Sequence, residues 1–128
     1  MIERSYLLVK PDGMIGGGCD EAISTLCSVG LTIEGFKRVT LDPVVVRQFY
    51  PDKVGNTFER EMVDYMTSGP CGILLVRGNK AIEKVRQVKG KTWVSGLRLK
   101  YANNFIHNTF HCPDNEESYK RELKILGL

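Results

Sequence analysis

The run CGILLVRG, residues 71–78, constrains the fold more than any other stretch, because it is apolar almost without a break and stands between Gly69-Pro70 and Asn79. A strand that alternates would leave one face to water; an unbroken run demands cover on both faces and a place in the middle of a sheet. A second such run, Ser5 to Lys10 (SYLLVK), is closed by Pro11-Asp12-Gly13, which is strong turn chemistry. Two buried strands need helices above and below them. The sequence has segments of that kind.

After the glycine-rich GMIGGG, which reads as a flexible turn, Ala22, Ile23, Leu26 and Cys27 recur at helical spacing and Gly30 supplies a stop, so a helix is expected over about 20–29. LTIEGFKRVTL, roughly alternating and β-branched, predicts another strand, ended by the Asp42 cap and Pro43 at the first helical position. A short helix then carries Val46 and Phe49 inward. TFEREMVDYMTSGP sets Phe58, Met62, Tyr65 and Met66 on one helical face. NKAIEKVRQVKG predicts a helix capped by Asn79 with Ile82, Val85 and Val88 inward. Residues 91–104 read as loop, FIHNTFH (105–111) as a strand, and Asp114 as the cap of a last helix over 115–126 carrying Tyr119, Leu123 and Leu126. The order β α β (α α) β α β α is that of an α+β sandwich, a ferredoxin-like split βαβ with a four-stranded antiparallel sheet covered by helices.

At 128 residues, without repeats or linker-like composition, the chain is expected to be one domain, 1–128. No apolar stretch approaches the roughly 20 residues that span a bilayer, and no signal-peptide pattern opens the chain. Its four cysteines lack CxxC spacing, which suits a reduced cytoplasm. The net charge of +3 comes from basic residues interleaved with acids, which permits an anionic ligand without demanding nucleic acid.

Lys10 ends the first buried strand, where sheet ends usually face a ligand; the plain alternative is a solvated lysine. GMIGGG is not a P-loop, since Cys19-Asp20 stand where that motif needs lysine and a hydroxyl, which leaves a flexible turn or, as the lesser reading, a nest of backbone amides for phosphate. Arg86, Thr92 and Arg98 flank an irregular segment, and guanidinium forks match phosphate oxygens, although single surface arginines are mostly only solvated. Phe58 and Met62 are ordinarily core packing, base stacking being the minority reading. Tyr50 before Pro51 is equally ambiguous. The two histidines, His107 and His111, are four apart. A metal pair at that spacing needs a helix, and FIHNTFH is β-rich and has no HExxH glutamate. On a strand both would share a face, so alternation does not choose between them; Glu122, inside the last helix, reaches His111 more easily.

VKPDG (9–13), a helix ending in SGP (68–70), RxxxGxT (86–92), NxxHxxD (108–114) and Glu117-Ser118 followed by Glu122, in this order, resemble the nucleoside diphosphate kinase family over nearly the whole chain. The family's histidine motif runs NxxHGSD. Laid on His111, it brings Asn108, Asp114, Glu117, Ser118, Glu122 and Arg98 into place without a gap, whereas laying it on His107 leaves the glutamates late. The resemblance implies ping-pong transfer of a γ-phosphoryl group from a nucleoside triphosphate to His111 and on to a nucleoside diphosphate. It further implies that Lys10 and Tyr50 contact the phosphate and ribose. Arg86, Thr92 and Arg98 would hold the outer phosphates with Mg²⁺ bridging them and no metal held by the protein itself. Asn108 would bond the ribose, Phe58 would stack on the base, Met62 would line the pocket and Glu122 would orient His111.

Three departures accompany the resemblance. Thr92 to Arg98 is shorter than the family's loop between the same anchors, which disfavours a hexamer and points to a dimer-based homo-oligomer. HGSD has become His111-Cys112-Pro113-Asp114, without the serine hydroxyl, and GMIGGG stands where an arginine is usual. These motivate a competing reading, a catalytically weak nucleotide-binding relative acting as a regulatory or interaction module. A ferredoxin-like domain for RNA or a metabolite is a third reading, which leaves the ordered motifs unexplained.

Overall fold

A computed structural model describes residues 2–128. Its elements are β1 (Ile2–Val9), α1 (Pro11–Ile15), α2 (Gly18–Ser28), β2 (Thr32–Val39), α3 (Pro43–Phe49), α4 (Glu59–Met66), β3 (Cys71–Asn79), α5 (Ala81–Lys89), α6 (Gly96–Tyr101), β4 (Phe110–His111) and α7 (Glu116–Leu126). The strands lie in the order β2-β3-β1-β4, and each adjacent pair is antiparallel. Each helical crossover therefore skips one strand, which makes two interlocked split βαβ units, the ferredoxin-like arrangement.

The two apolar runs are the central strands. Along β1 the side chains alternate: Leu7 and Val9 join Leu26, Val85 and Phe110 beneath α2, α5 and α6. Tyr6 and Leu8 join Val46, Met66 and Ile73 beneath α3, α4 and α7. Because both faces are covered, every position from Tyr6 to Val9 is inaccessible to solvent. Truncating a wholly buried leucine such as Leu74 would cost roughly 2–5 kcal/mol.

Several local expectations are corrected. The glycine-rich segment is not a flexible turn. The Lys10 carbonyl accepts from the Gly13 and Met14 amides and opens the short α1, and α2 follows from Gly18. Gly13 and Gly18 serve close approach, a Cβ on Gly13 sitting 2.7 Å from both the Thr109 methyl and Val9, while Gly17 supplies a φ of 82° at the turn. Asn79 is the last residue of β3, opposite Ile2, and Lys80 at φ 54° precedes α5. Ile82 is only half-buried, Ala81 taking the inward place. Within the expected loop 91–104 lies α6. The cap of α7 is Asn115, whose side chain accepts from the Ser118 amide, not Asp114. FIHNTFH is strand only at its end, because Asn104 Oδ1 accepts from the Ile106 and His107 amides and folds 104–108 into a turn.

Candidate active site

β1 and β4 meet in register at Leu8 opposite His111. Phe110 turns into one core and His111 to the other side, among Phe49, Tyr50 and Tyr6. The imidazole is held from both ends. His111 Nε2 lies 2.8 Å from Glu122 Oε1, and Nδ1 lies 3.2 Å from the Tyr50 hydroxyl. A carboxylate has no proton to give, so Nε2–H donates and Nδ1 keeps its lone pair. Burial lowers the His111 pKa, against the opposing pull of Glu122, which favours the neutral ring. Burial pulls the other way on Glu122, but the hydrogen bonds from His111 and Tyr6, with Arg121 nearby, outweigh it and keep its carboxyl below the usual range. The pair is a neutral imidazole aimed by a charged carboxylate.

Lys10 follows β1 directly, and only 3% of it is exposed. Its Nζ donates to Asn108 Oδ1 and sits over the rings of Tyr50 and Tyr65, at 5.8 and 5.6 Å from their centroids. Among the described residues no carboxylate is hydrogen-bonded to it. Burial, with Arg98 adding to the effect, lowers its pKa to about 7. The charge of Asp12 offsets this only in part, so the buried cation stays costly unless something anionic arrives.

What Lys10 faces is a cleft of about 750 Å³. Lys10, Lys53, Lys91 and Arg98 line it, and no carboxylate does. Tyr50, Thr92 and Asn108 add polar groups, Met62 the floor, and Phe58 and Phe105 the apolar rim. Thr92 is buried, yet its hydroxyl has no hydrogen-bond partner among the described residues. Phe58 does not share the buried helical face of Met62. It precedes α4 and is 55% exposed, free to meet a flat ligand. Arg98, half-buried on α6, uses Nε and Nη2 on the Phe110 carbonyl, at 3.2 and 2.7 Å.

Arg86 is not gathered into this cleft. It pairs with Glu83 and Asp114 in an adjoining groove of about 620 Å³, which Arg98 and Lys91 also border. His107 is not in the cleft either. It stacks on Tyr65 at 4.3 Å, bonds Glu61 at 3.1 Å, and faces a separate cavity. It does not share a strand face with His111, so the two are unrelated neighbours.

Local geometry explains how the short segment before Arg98 closes. Gly90 (φ 70°) and Gly96 (φ 65°) press together, and a Cβ on Gly90 would come within 2.0 Å of the Ser95 carbonyl oxygen. The Lys91–Ser95 bridge completes this tight loop and turns Thr92 inward. The loop carrying Asn108 is fixed by a network that its sequence does not announce. The Tyr65 hydroxyl donates to Asp12 and accepts from the Thr109 amide, while the Thr109 hydroxyl donates to the other Asp12 oxygen. Asp12 of VKPDG thus holds Thr109 at φ 70° beside the site. Tyr6, whose hydroxyl donates to Glu122, was likewise hidden in an apolar run.

The fold and this site define an α+β protein with a cleft lined by cations, and by no carboxylate among the described residues, beside an oriented imidazole. Comparison with known proteins narrows the class. Residues 3–126 match the family model described as nucleoside diphosphate kinase. A nucleoside diphosphate kinase of Sulfurisphaera tokodaii is 33% identical over 97% of this chain and 88% of its own length. One from Frankia casuarinae is 35% identical over 97% and 94%. Among solved structures, the Aquifex aeolicus enzyme superposes with TM-score 0.87 at 27% identity, covering 98% of this chain and 95% of the other. The Halobacterium salinarum enzyme, in complex with CDP, gives 0.88 at 29% identity, covering 98% and 87%. The chain belongs to the nucleoside diphosphate kinase family, and is an enzyme that transfers phosphoryl groups between nucleotides. These relatives do not favour the reading as an inactive binding module. No helix of the described residues is long and apolar enough to cross a membrane.

Proposed function

We propose that the chain moves a γ-phosphoryl group from a nucleoside triphosphate to a nucleoside diphosphate in two steps, with His111 as the carrier. Nδ1 attacks the γ-phosphorus, an N–P bond forms, and the bond to the bridging oxygen breaks with its electron pair leaving on the nucleoside diphosphate. A second nucleoside diphosphate then attacks through a terminal oxygen, and the N–P electron pair returns to Nδ1. Nε2–H stays with Glu122 throughout, so the carboxylate stabilises the positive ring that exists while phosphoryl is bound. The observation that carries this reading is the His111–Glu122 contact at 2.8 Å, which leaves Nδ1 as the nucleophile.

Phosphoryl transfer asks mainly for positioning and charge. Lys10 takes the γ-phosphate, with Tyr50 beside it, and Asn108 bonds the ribose. The unpartnered Thr92 hydroxyl and Arg98 hold the outer phosphates, which run toward Arg86 along the groove that Arg98 and Lys91 share with the cleft. Phe58 stacks on the base over Met62. Contacts with a base face rather than base edges suit a broad nucleotide range.

Among the described residues no His, Cys, Asp and Glu are grouped as metal ligands, and the cleft is lined by cations, hydroxyls and amides. That chemistry fits Mg²⁺ only as an ion carried in on phosphate oxygens, where it would neutralise charge shared between β- and γ-phosphates. Four free cysteines support a reducing cytoplasm. The short 91–95 loop and the exposed edge strand β2, with Phe36 47% exposed, support a homo-oligomer built from dimers, which a mass measured in solution tests. For the chemistry, incubation with γ-labelled ATP and Mg²⁺ should give an acid-labile, base-stable label that His111→Ala abolishes and His107→Ala retains. Label surviving in His111→Ala would overturn the assignment.

A further inference from the structure

We propose that Tyr6 is a positioning residue of this site: its buried hydroxyl holds the Glu122 carboxylate, and through it the imidazole of His111. The proposal rests on His111 being the phosphoryl carrier. Tyr6 stands two residues before Leu8, the β1 residue in register with His111, so alternation along the strand sends its ring to the His111 side of the sheet. The two rings are 6.2 Å apart, and Tyr6 is wholly buried.

A buried tyrosine hydroxyl seeks an acceptor. Here it donates to Glu122 Oε1, the same oxygen that receives Nε2–H of His111. Oε2 has only a long contact, 3.5 Å, from the half-exposed Arg121. Oε1 therefore takes two directional donors from two elements, β1 and β4, and they fix the rotamer of a carboxylate that α7 brings from a third. The hydroxyl also draws part of the carboxylate's charge away from the imidazole. It is a permanent donor, since burial and then the charge of Glu122 push its ionisation far above the ordinary tyrosine range.

Removing that oxygen has a signed consequence. With one donor fewer, Glu122 becomes the more basic partner, holds a proton on His111 more strongly, and lets the ring swing. In Tyr6→Phe the first-order labelling of His111 from γ-labelled ATP should slow by roughly tenfold, because misalignment of the ring outweighs the stronger field that the unshared carboxylate puts on it. KM for the triphosphate should stay the same, because Tyr6 does not line the cleft. The acid limb of the labelling rate and the His111 titration followed by NMR should both move up by about one pH unit. Tyr119→Phe, at a ring that touches Tyr6 at 6.5 Å but lies outside this chain of donors, should change neither. If Tyr6→Phe loses only thermal stability, with titration and acid limb unmoved, Tyr6 is a core residue and the proposal fails. If the wild type takes no label, the phosphohistidine reading fails on its own, and the NMR titration still decides the role of Tyr6. Should Tyr6→Phe not fold, the wild type suffices: a slowly exchanging Tyr6 hydroxyl proton whose resonance shifts as His111 titrates supports the link, and one indifferent to His111 overturns it.

Discussion

Replacing Lys10 with methionine should make the nucleotide-free protein more stable while abolishing labelling. Lys10 is 3% exposed, hydrogen-bonds a neutral amide, and has its amine lowered from 10.5 to about 7 by burial first and Arg98 second. Between those two values the unfolded chain binds more protons than the folded one. Stability therefore rises as pH climbs from about 7 to about 10.5, and the penalty is complete below about 7. At neutral pH the difference corresponds to about 4 kcal/mol against the charged folded form. Methionine of similar length removes that penalty but also the bond to Asn108, so a net gain of roughly 1–3 kcal/mol is expected, as when buried charges give way to apolar side chains. Urea unfolding at pH 7 and pH 10, with and without ATP and Mg²⁺, measures it. Wild type should gain stability with pH across that window and with nucleotide at pH 7. Lys10→Met should show neither the pH slope nor most of the nucleotide effect. A Lys10→Met protein less stable than wild type at pH 7 without nucleotide, or equally stabilised by ATP, would refute the view of Lys10 as a cation awaiting a phosphate.

Thr92→Val keeps the shape and removes a buried hydroxyl that has no partner among the described residues, so unfolding of the free protein should be unchanged or harder by up to about 1 kcal/mol, while KM for nucleotide rises. Gly90→Ala sets a Cβ against the Ser95 carbonyl at a positive φ and should cost more than roughly 2 kcal/mol in denaturant unfolding, with loss of activity as Thr92 and Arg98 shift. Phe58→Ala, at a side chain 55% exposed, should leave stability within about 0.5 kcal/mol yet raise KM for purine and pyrimidine nucleotides alike in steady-state assays. Glu122 ionises below its ordinary range. Its contribution to stability is therefore present above pH 4.5 and lost as pH falls through its folded value, so Glu122→Gln should flatten the acid unfolding curve in that region.

The positions that the resemblance singles out lie where patterned elements end, so their places along the chain were legible although their roles were not. Lys10 closes an apolar run, and the spacing of Asn108, His111 and Glu122 is set by one short strand and one helix. What escaped reading was short-range and backbone-driven. α1 and α6 have only five and six residues, too few for a periodic signal, and Gly13 and Gly18, in a stretch that reads as flexible, are points of contact with Thr109 and Phe110. FIHNTFH has strand composition, but Asn104 offers its side chain to two amides and wins the turn.

By itself, the sequence determined which faces must be buried, hence the four-stranded sheet between helices, while the choice of His111 over His107 came from the resemblance to the family's motif. Only the tertiary structure decided the electrostatics. Lys10 is a cation that burial destabilises more than Asp12 restores, because β1 ends inside the protein, and Arg86 lies outside the cleft because α5 turns it toward Asp114. Tyr6, which along the chain is one more apolar position, bonds Glu122, a residue 116 positions away. Patterning is a property of neighbours in the chain, whereas charge, desolvation and shared hydrogen bonds depend on neighbours in space.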